Sequence, residues 1–324
     1  MSAVSLMSRM PRAARLSGPR WVTARQHRFT ARVFCGALAV AALGVAVFLV
    51  VTALVDPKGA FARDADTGMG MLLQRALFVT GLLPALIGAF VAGPLVAREL
   101  ESGTYTWLWT QSVSPVRWLA TKLALATAVT LGGSAVLVVL FRLTVGSLTE
   151  RATMHLAWDG PAYELLGPVQ VAQSALAVGV GTLVGLLMRR TVTAMAFTGV
   201  SVLTVQFAFS ELLREKLWPV ETLVSKQPMY EDMYTPGVRV VEDGMLTASG
   251  ERVLPRECLA QTGGGKSSEE CMIDQGGVQY FMDVHREGHF WPLQLVESGL
   301  LLVAAGIAVA VAFRVLRGKH AGAS

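Results

Sequence analysis

Three groups of residues in this chain have types and spacings that invite chemistry. Gly263-Gly-Gly-Lys266-Ser267 has the ending of a phosphate-cradling loop, in which clustered backbone N–H groups and a lysine hold phosphate oxygens. The glycine that should open such a loop falls at Ala260, no apolar strand precedes it and no apolar helix follows, so the stretch reads as a glycine-rich connection. His285 and His289 stand four apart, a helical spacing for two metal ligands. Glu287 is not where a zinc-binding helix would place its general base, and Gly288 weakens a helix there, so no metal site is expected. Cys258 and Cys271 flank the glycine-rich connection and could close a disulfide, whereas Cys35 lies in an apolar run as a small hydrophobe. Paired acids, Ser-His and Cys-His sets are missing from the apolar runs, which argues against an enzyme.

The elements that would position these residues are set by hydropathy. Charged residues are 16% of the 324 positions and hydrophobic ones 53%, with a mean hydropathy of +0.50. A soluble domain carries roughly 25% charge. Runs without charge extend over Val33–Val55, Ala76–Ala97, Leu123–Phe141, Leu165–Met188, Thr191–Ser210 and Ser298–Phe313, the last stretching back past Glu297 to Pro292. About 20 helical residues cross a bilayer core. The expectation is an all-α integral membrane protein of six transmembrane helices. A 23-residue first run is too long for a signal peptide, and no small-residue cleavage site follows it.

Positive residues resist translocation, so their distribution sets the orientation. Fifteen Lys and Arg lie in the leader 1–32, in 98–122, at Arg189-Arg190 and in the tail, against five in the alternate short connections. Both termini are therefore expected in the cytoplasm of a bacterial cell, with 33–210 holding the first five helices and 292–324 the sixth helix and a basic tail. The leader, with Trp21, Phe29 and Phe34 among its arginines, could end as an interfacial helix. The net charge of +5 is split among separate connections, which argues against nucleic-acid binding.

Residues 211–291 form one large hydrophilic loop between helices 5 and 6, expected outside the cell, where an oxidising compartment favours a Cys258–Cys271 disulfide. Its start, Glu211 to Trp218, can prolong the fifth helix, and Val238–Val241 followed by Asp243-Gly244 reads as a hairpin and turn. Inside the spans, Gln170, Gln173, Gln206 and Glu297 are the polar groups that need an explanation. Two readings stand: helix-to-helix hydrogen bonds, or a polar patch along a translocation path. Pro84 and Pro94 predict a kinked or frayed second helix, and Gly181 and Gly185 a close-packing face.

The stretch from Arg98 to Trp118 interrupts the apolar runs with acids, arginines and tryptophans. Trp107, Trp109 and Trp118 suit an interfacial helix, either as a simple aromatic belt or as anchors for a soluble partner. Glu99 and Glu101 are acids on an otherwise positive side, which either stay solvated at a helix end or call for a basic partner. Gly103 allows a helix break, Thr104, Thr110 and Gln111 can cap or hydrogen-bond, and Arg117 adds a charge before the third helix.

Arg98-Glu99-Leu-Glu101-Ser-Gly103-Thr104, with Trp107-Leu-Trp109-Thr110-Gln111-Ser112-Val-Ser114 and Arg117-Trp118-Leu-Ala-Thr-Lys122, resembles the signature between helices two and three of actinobacterial ABC-transporter permeases of the type 2 exporter class. Pro115 departs from it, since the family more often has a polar or basic residue there. The resemblance implies that 98–122 is a coupling helix seated on a separate ATP-binding subunit. ATP and Mg would be bound by that subunit and no cofactor by this chain; a second permease copy or paralogue would complete the exporter. The alternative is a polytopic membrane anchor or sensor that recruits a cytoplasmic partner without transport. A secondary transporter is disfavoured because no midplane carboxylate pair or repeated broken helix is evident.

Overall fold

The computed structural model describes residues 75, 77–105, 114–146, 157–158, 160–229, 237–262 and 267–321. The leader, the expected first span with Cys35, and Trp107, Trp109, Thr110, Gln111 and Lys266 lie outside the described residues. Among the described residues, five helices are long and apolar enough to cross a membrane. We label the helices α1 (Leu83–Ser102), α2 (Pro115–Gly146), the short α3 (Gly160–Leu165), α4 (Val169–Met188), and α5 (Thr191–Lys216, with its last turns widened and then tightened). The final span, α8, runs over Phe290–Ala321 and so carries the basic residues of the expected tail as helix.

α4 is the axis of the bundle. Glycines make this possible: a Cβ on Gly181 would fall 2.4 Å from the Ala92 Cβ, one on Gly185 3.0 Å from the Gly93 carbonyl oxygen, and one on Gly179 2.9 Å from the Ala305 carbonyl oxygen. α1 and α8 therefore approach the α4 backbone more closely than any side chain would permit. α1 does not simply kink. Its middle widens into a π segment, Gly88–Ala92, where the Gly93 N–H reaches the carbonyl of Gly88 five residues back. Pro94 follows directly and has no N–H to give, so the extra residue is absorbed where the normal ladder would fail.

Around α4, Ser134 of α2 bonds Ser174 at 2.7 Å, and a core of Ile87, Val96, Leu119, Leu123, Ala177 and Leu186 unites α1, α2 and α4. α5 is the least enclosed helix, with Val192, Phe197, Val200 and Phe207 exposed. In a bilayer that apolar face needs no protein cover.

Between α5 and α8 the hydrophilic stretch folds into an antiparallel sheet in the order β1 (Glu221–Ser225), β4 (Gly277–His285), β2 (Arg239–Thr247), β3 (Arg252–Val253). Two short helices, α6 (Pro255–Thr262) and α7 (Ser268–Asp274), pack on it. The expected turn at Asp243-Gly244 is not one: both residues lie inside β2, paired to Met282 and Phe281. A Cβ on Gly244 would stand 2.4 Å from the Val253 carbonyl oxygen, so the glycine serves a close approach of β3. The reversal comes at 248–250 instead, closed by the Gly250 N–H on the Thr247 carbonyl.

Cys258 and Cys271 are joined in a disulfide linking α6 to α7, in a small core with Met245, Val253 and Met272. The closed loop spans 13 positions, which in the chain-entropy account is worth about 3 kcal/mol. Replacing both cysteines by serine should lower the unfolding free energy of the sheet region by about that amount and speed its limited proteolysis, leaving the helices' resistance unchanged.

Candidate functional site

The polar groups gather at opposite ends of the bundle. At the end where α1 stops and α2 begins, Gly103 takes the left-handed conformation, φ 70°, with nothing among the described residues, its chain neighbours aside, within 4 Å of a would-be Cβ. Glycine is there for its backbone, which ends α1 sharply. Ser114 opens α2, accepting the Arg117 N–H at 3.3 Å.

Glu99 is spoken for within the chain. One of its oxygens takes the Lys122 ammonium at 2.7 Å and the other the Trp118 indole N–H at 2.9 Å. Lys122 also reaches the Leu95 carbonyl at 3.3 Å and is only 3% exposed, as befits a charge that has found its partners. Trp118 is 5% exposed and packs into the helix core. Two residues expected at a docking surface thus face inward here, because a lone acid at this depth is satisfied by the lysine one turn beyond the tryptophan.

Glu101 is exposed but not idle. Its Oε2 accepts the Thr191 backbone N–H at 2.8 Å and the Thr191 hydroxyl at 2.5 Å. It caps the first turn of α5 from another helix, where a carboxylate is favoured by the helix dipole. The turn that delivers Thr191 is tight: Arg189 ends α4 at φ 54° and Arg190 is extended. A non-glycine residue in that conformation costs roughly 1 kcal/mol. Thr104 bonds Ser102 through their hydroxyls at 3.0 Å and Arg117 is exposed, so Glu101, Thr104 and Arg117 are the predicted contact residues that the structure leaves at the surface.

At the opposite end, Arg214 near the end of α5 sits between two acids. Its Nε and Nη2 donate to the two oxygens of Glu297 on α8 at 3.0 and 3.2 Å, and Nη2 also donates to Glu164 on α3 at 3.2 Å. Its guanidinium lies 4.2 Å over the Tyr163 ring. The same junction holds α8 to the α3–α4 connection: Gln294 donates to the Tyr163 carbonyl at 2.6 Å and accepts the Val169 N–H at 3.3 Å. There is no room for a side chain on Gly167, whose Cβ would fall 2.1 Å from Gln294 Oε1.

The expected polar residues of the spans meet near this junction. Gln206 donates to Gln173 at 3.1 Å and to the Gly81 carbonyl at 2.9 Å, Gln170 donates to the Thr80 carbonyl at 3.4 Å, and Gln173 faces the Glu164 carboxylate. Each glutamine thus makes at least one bond to a neighbouring segment, while Glu297 belongs to the ion cluster. Each also keeps one buried amide atom without a hydrogen-bond partner among the described residues, namely Gln170 Oε1, Gln173 Nε2 and Gln206 Oε1. Glu164, Arg214, Lys122 and Thr191 are the partners that the sequence did not announce. Charge-free runs take charged residues as their edges, so Glu164 falls just outside the run that starts at Leu165, and Arg214 lies beyond the edge at Glu211, in the stretch expected to prolong the fifth helix.

The sheet is bolted to this junction. Arg239 pairs with Glu215 at 3.0 Å, and Trp158 donates to the Gly237 carbonyl at 3.0 Å while stacking on His285 and Tyr163. His285 Nε2 lies 3.1 Å from the Glu215 carbonyl and its Nδ1 3.3 Å from His289 Nδ1. A carbonyl only accepts, so Nε2 carries the His285 proton and Nδ1 accepts from His289. Burial lowers the His285 pKa from its ordinary value, favouring this neutral form. The described residues contain no group of three or more metal-ligating side chains.

Lys122→Met should destabilise the chain by about 3 kcal/mol, because it strands the Glu99 carboxylate. Adding Glu99→Gln should recover most of that loss, as read by thermal unfolding in detergent across the double-mutant cycle.

Residues 55–214, just under half of the chain, match the model of the family described as ABC-2 membrane transporter related. No curated protein and no solved structure matches the chain. The matched stretch runs from before α1 to Arg214 and so takes in both polar ends of the bundle. With five long apolar helices beside it, the match supports a multi-pass membrane permease of the ABC-2 type, a transport subunit of the kind that pairs with an ABC ATP-binding subunit.

Proposed function

We propose that the chain is the membrane subunit of an ATP-driven exporter, in which the segment between α1 and α2 rests on a separate ATP-binding subunit and passes its movement to the helices. The observation that carries this reading is the pair of anchorages at the base of that segment. Glu99 fastens it to α2 through Lys122 and Trp118, and Glu101 fastens it to the first turn of α5. A force applied to the segment would then be shared by two spans at once.

α5 carries it further. It is helical over 26 residues from Thr191 to Lys216, regular to Phe207 and then widened and tightened, about 39 Å at the usual helical rise. Arg214, near its far end, holds α3 and α8 and lies beside the attachment of the sheet. Rigid elements with discrete packings are how a small displacement at one site becomes a rearrangement at another. In this reading Glu297 and the glutamines Gln170, Gln173 and Gln206 are hinge contacts that exchange partners along a translocation path. The basic groups at Arg98, Arg117, Arg189, Arg190, Arg314 and Arg317 collect at the end opposite the sheet, which supports a cytoplasmic location for that end and for both termini, with the sheet outside the bacterial cell. A second permease copy or paralogue would face the lipid-exposed helices.

The experiment is co-expression with candidate ATP-binding subunits from the same genome. The wild-type chain should retain one through detergent extraction, and Trp107→Ala or Trp109→Ala should weaken that retention by about 30-fold, the equivalent of a 2 kcal/mol anchor. Glu101→Ala should keep the complex and reduce the ATP hydrolysis that the permease stimulates. Failure of every ATP-binding subunit to co-purify would overturn the reading and favour a membrane anchor.

A further inference from the structure

The junction of α3, α5 and α8 contains two carboxylates and one guanidinium. Arg214 gives Glu297 a two-pronged bond and Glu164 a single one at 3.2 Å. Glu297 is fully buried and Glu164 is 5% exposed. Among the described residues, the other charged groups near them are occupied elsewhere. From α2, Arg142 donates to the Leu166 carbonyl at 2.7 Å and stacks on Trp291. Arg239 of the sheet pairs with Glu215, and His285 of β4, whose neutral form is favoured by burial, donates to the Glu215 carbonyl. α4 presents the uncharged Gln173, and α3 itself presents Tyr163. Among the described residues, Arg214 is the cation that faces the two acids.

With both acids ionised the cluster would hold a net charge of −1 where water is excluded. Isolated buried carboxylates do not persist; they pair, or they neutralise. Two carboxylates that share a site separate in their readiness to hold a proton, and the one with the weaker partner takes it. We propose that this cluster binds one proton, carried on Glu164, and that the proton locks α3, α5 and α8 together beneath the sheet.

Burial is the largest influence on Glu164 and pushes its carboxyl above the ordinary carboxylate range, against the pull of Arg214 and Gln173. The consequence for stability has a definite sign. A carboxyl raised in the folded state stabilises the junction at low pH and gives that contribution up as pH rises through the raised value. The lock therefore opens towards alkaline pH.

The test is pH-difference infrared spectroscopy of the full chain in phosphatidylcholine vesicles, with thermal unfolding followed in parallel. The wild type should lose a protonated-carboxyl C=O band as pH is raised above the ordinary carboxylate range, and its Tm should fall with it. Glu164→Gln, which imitates the protonated group in size and charge, should lack that loss and hold its Tm over the same range. Glu297→Gln leaves Glu164 alone with Arg214, and the loss should move down towards ordinary carboxylate values. A wild type without the band overturns the proposal, as does a band that survives in Glu164→Gln. Alkaline stabilisation by sodium with no such band would also overturn it, in favour of a bound cation. If Glu164→Gln fails to fold, the wild-type titration alone still decides.

Discussion

A guanidinium shut away from water must find its anions inside the chain, and the placement of Arg214 organises much of what surrounds it. Its fork takes Glu297 from α8 and Glu164 from α3, and its flat face covers Tyr163. These three elements are far apart in sequence, and no apolar contact alone would fix their rotation. Removing one partner would leave an unpaired charge in a region that cannot solvate it, a penalty of several kcal/mol. Burial of this kind specifies geometry more than it adds stability. The sheet inherits that geometry, because Glu215, the next residue, receives both Arg239 and His285.

The opposite end is built by a second ion pair of different character. Lys122 meets Glu99 while lying over the Trp118 ring, and the pair is half of a clasp whose other half is Glu101 on Thr191. One acid is half-buried and accepts from two donors, the Lys122 ammonium and the Trp118 indole N–H; the other is exposed and lends its charge to a helix start. Two residues apart on α1, they bind different helices because successive helical positions point about 100° apart. α5 thus has a polar attachment at each end and a mostly lipid-facing middle. A rod held at its ends is suited to relay a displacement, which is why the permease reading places the transmission route there.

Between the ends, glycines and a π segment allow helices to touch backbone to backbone. Gly181 lies against Ala92, and Gly185 against Gly93, just where α1 widens. Wide turns in helices are frequent at places that move or bind. Here the wide turn directly precedes Pro94, whose missing N–H leaves that stretch of the ladder one donor short. α1 is consequently firm at its clasped end and compliant in its middle.

Hydropathy alone pointed to the helical membrane character and to each of the five described spans, because about 20 apolar residues leave a chain few alternatives in a bilayer, but not to their ends: α2 begins eight residues before Leu123 and α8 ends eight beyond Phe313. The break at Gly103 was legible for a similar reason: only glycine adopts φ 70° freely. The cysteine pair was visible in its spacing. What the sequence withheld were the partners. Glu99 reads in the sequence as a solvated helix-end charge or one awaiting another protein, whereas the fold brings Lys122 and Trp118 to it; Glu164 reads as the edge of an apolar run and Arg214 as one charge in the extension of the fifth helix. Asp243-Gly244 read as a turn because turns use those residues, while the structure uses Gly244 for clearance beneath β3. Local pattern decides which segments become helices. Which charge meets which is settled only when helices distant in sequence pack, since an ion pair depends on separation in space and leaves no periodic trace along the chain.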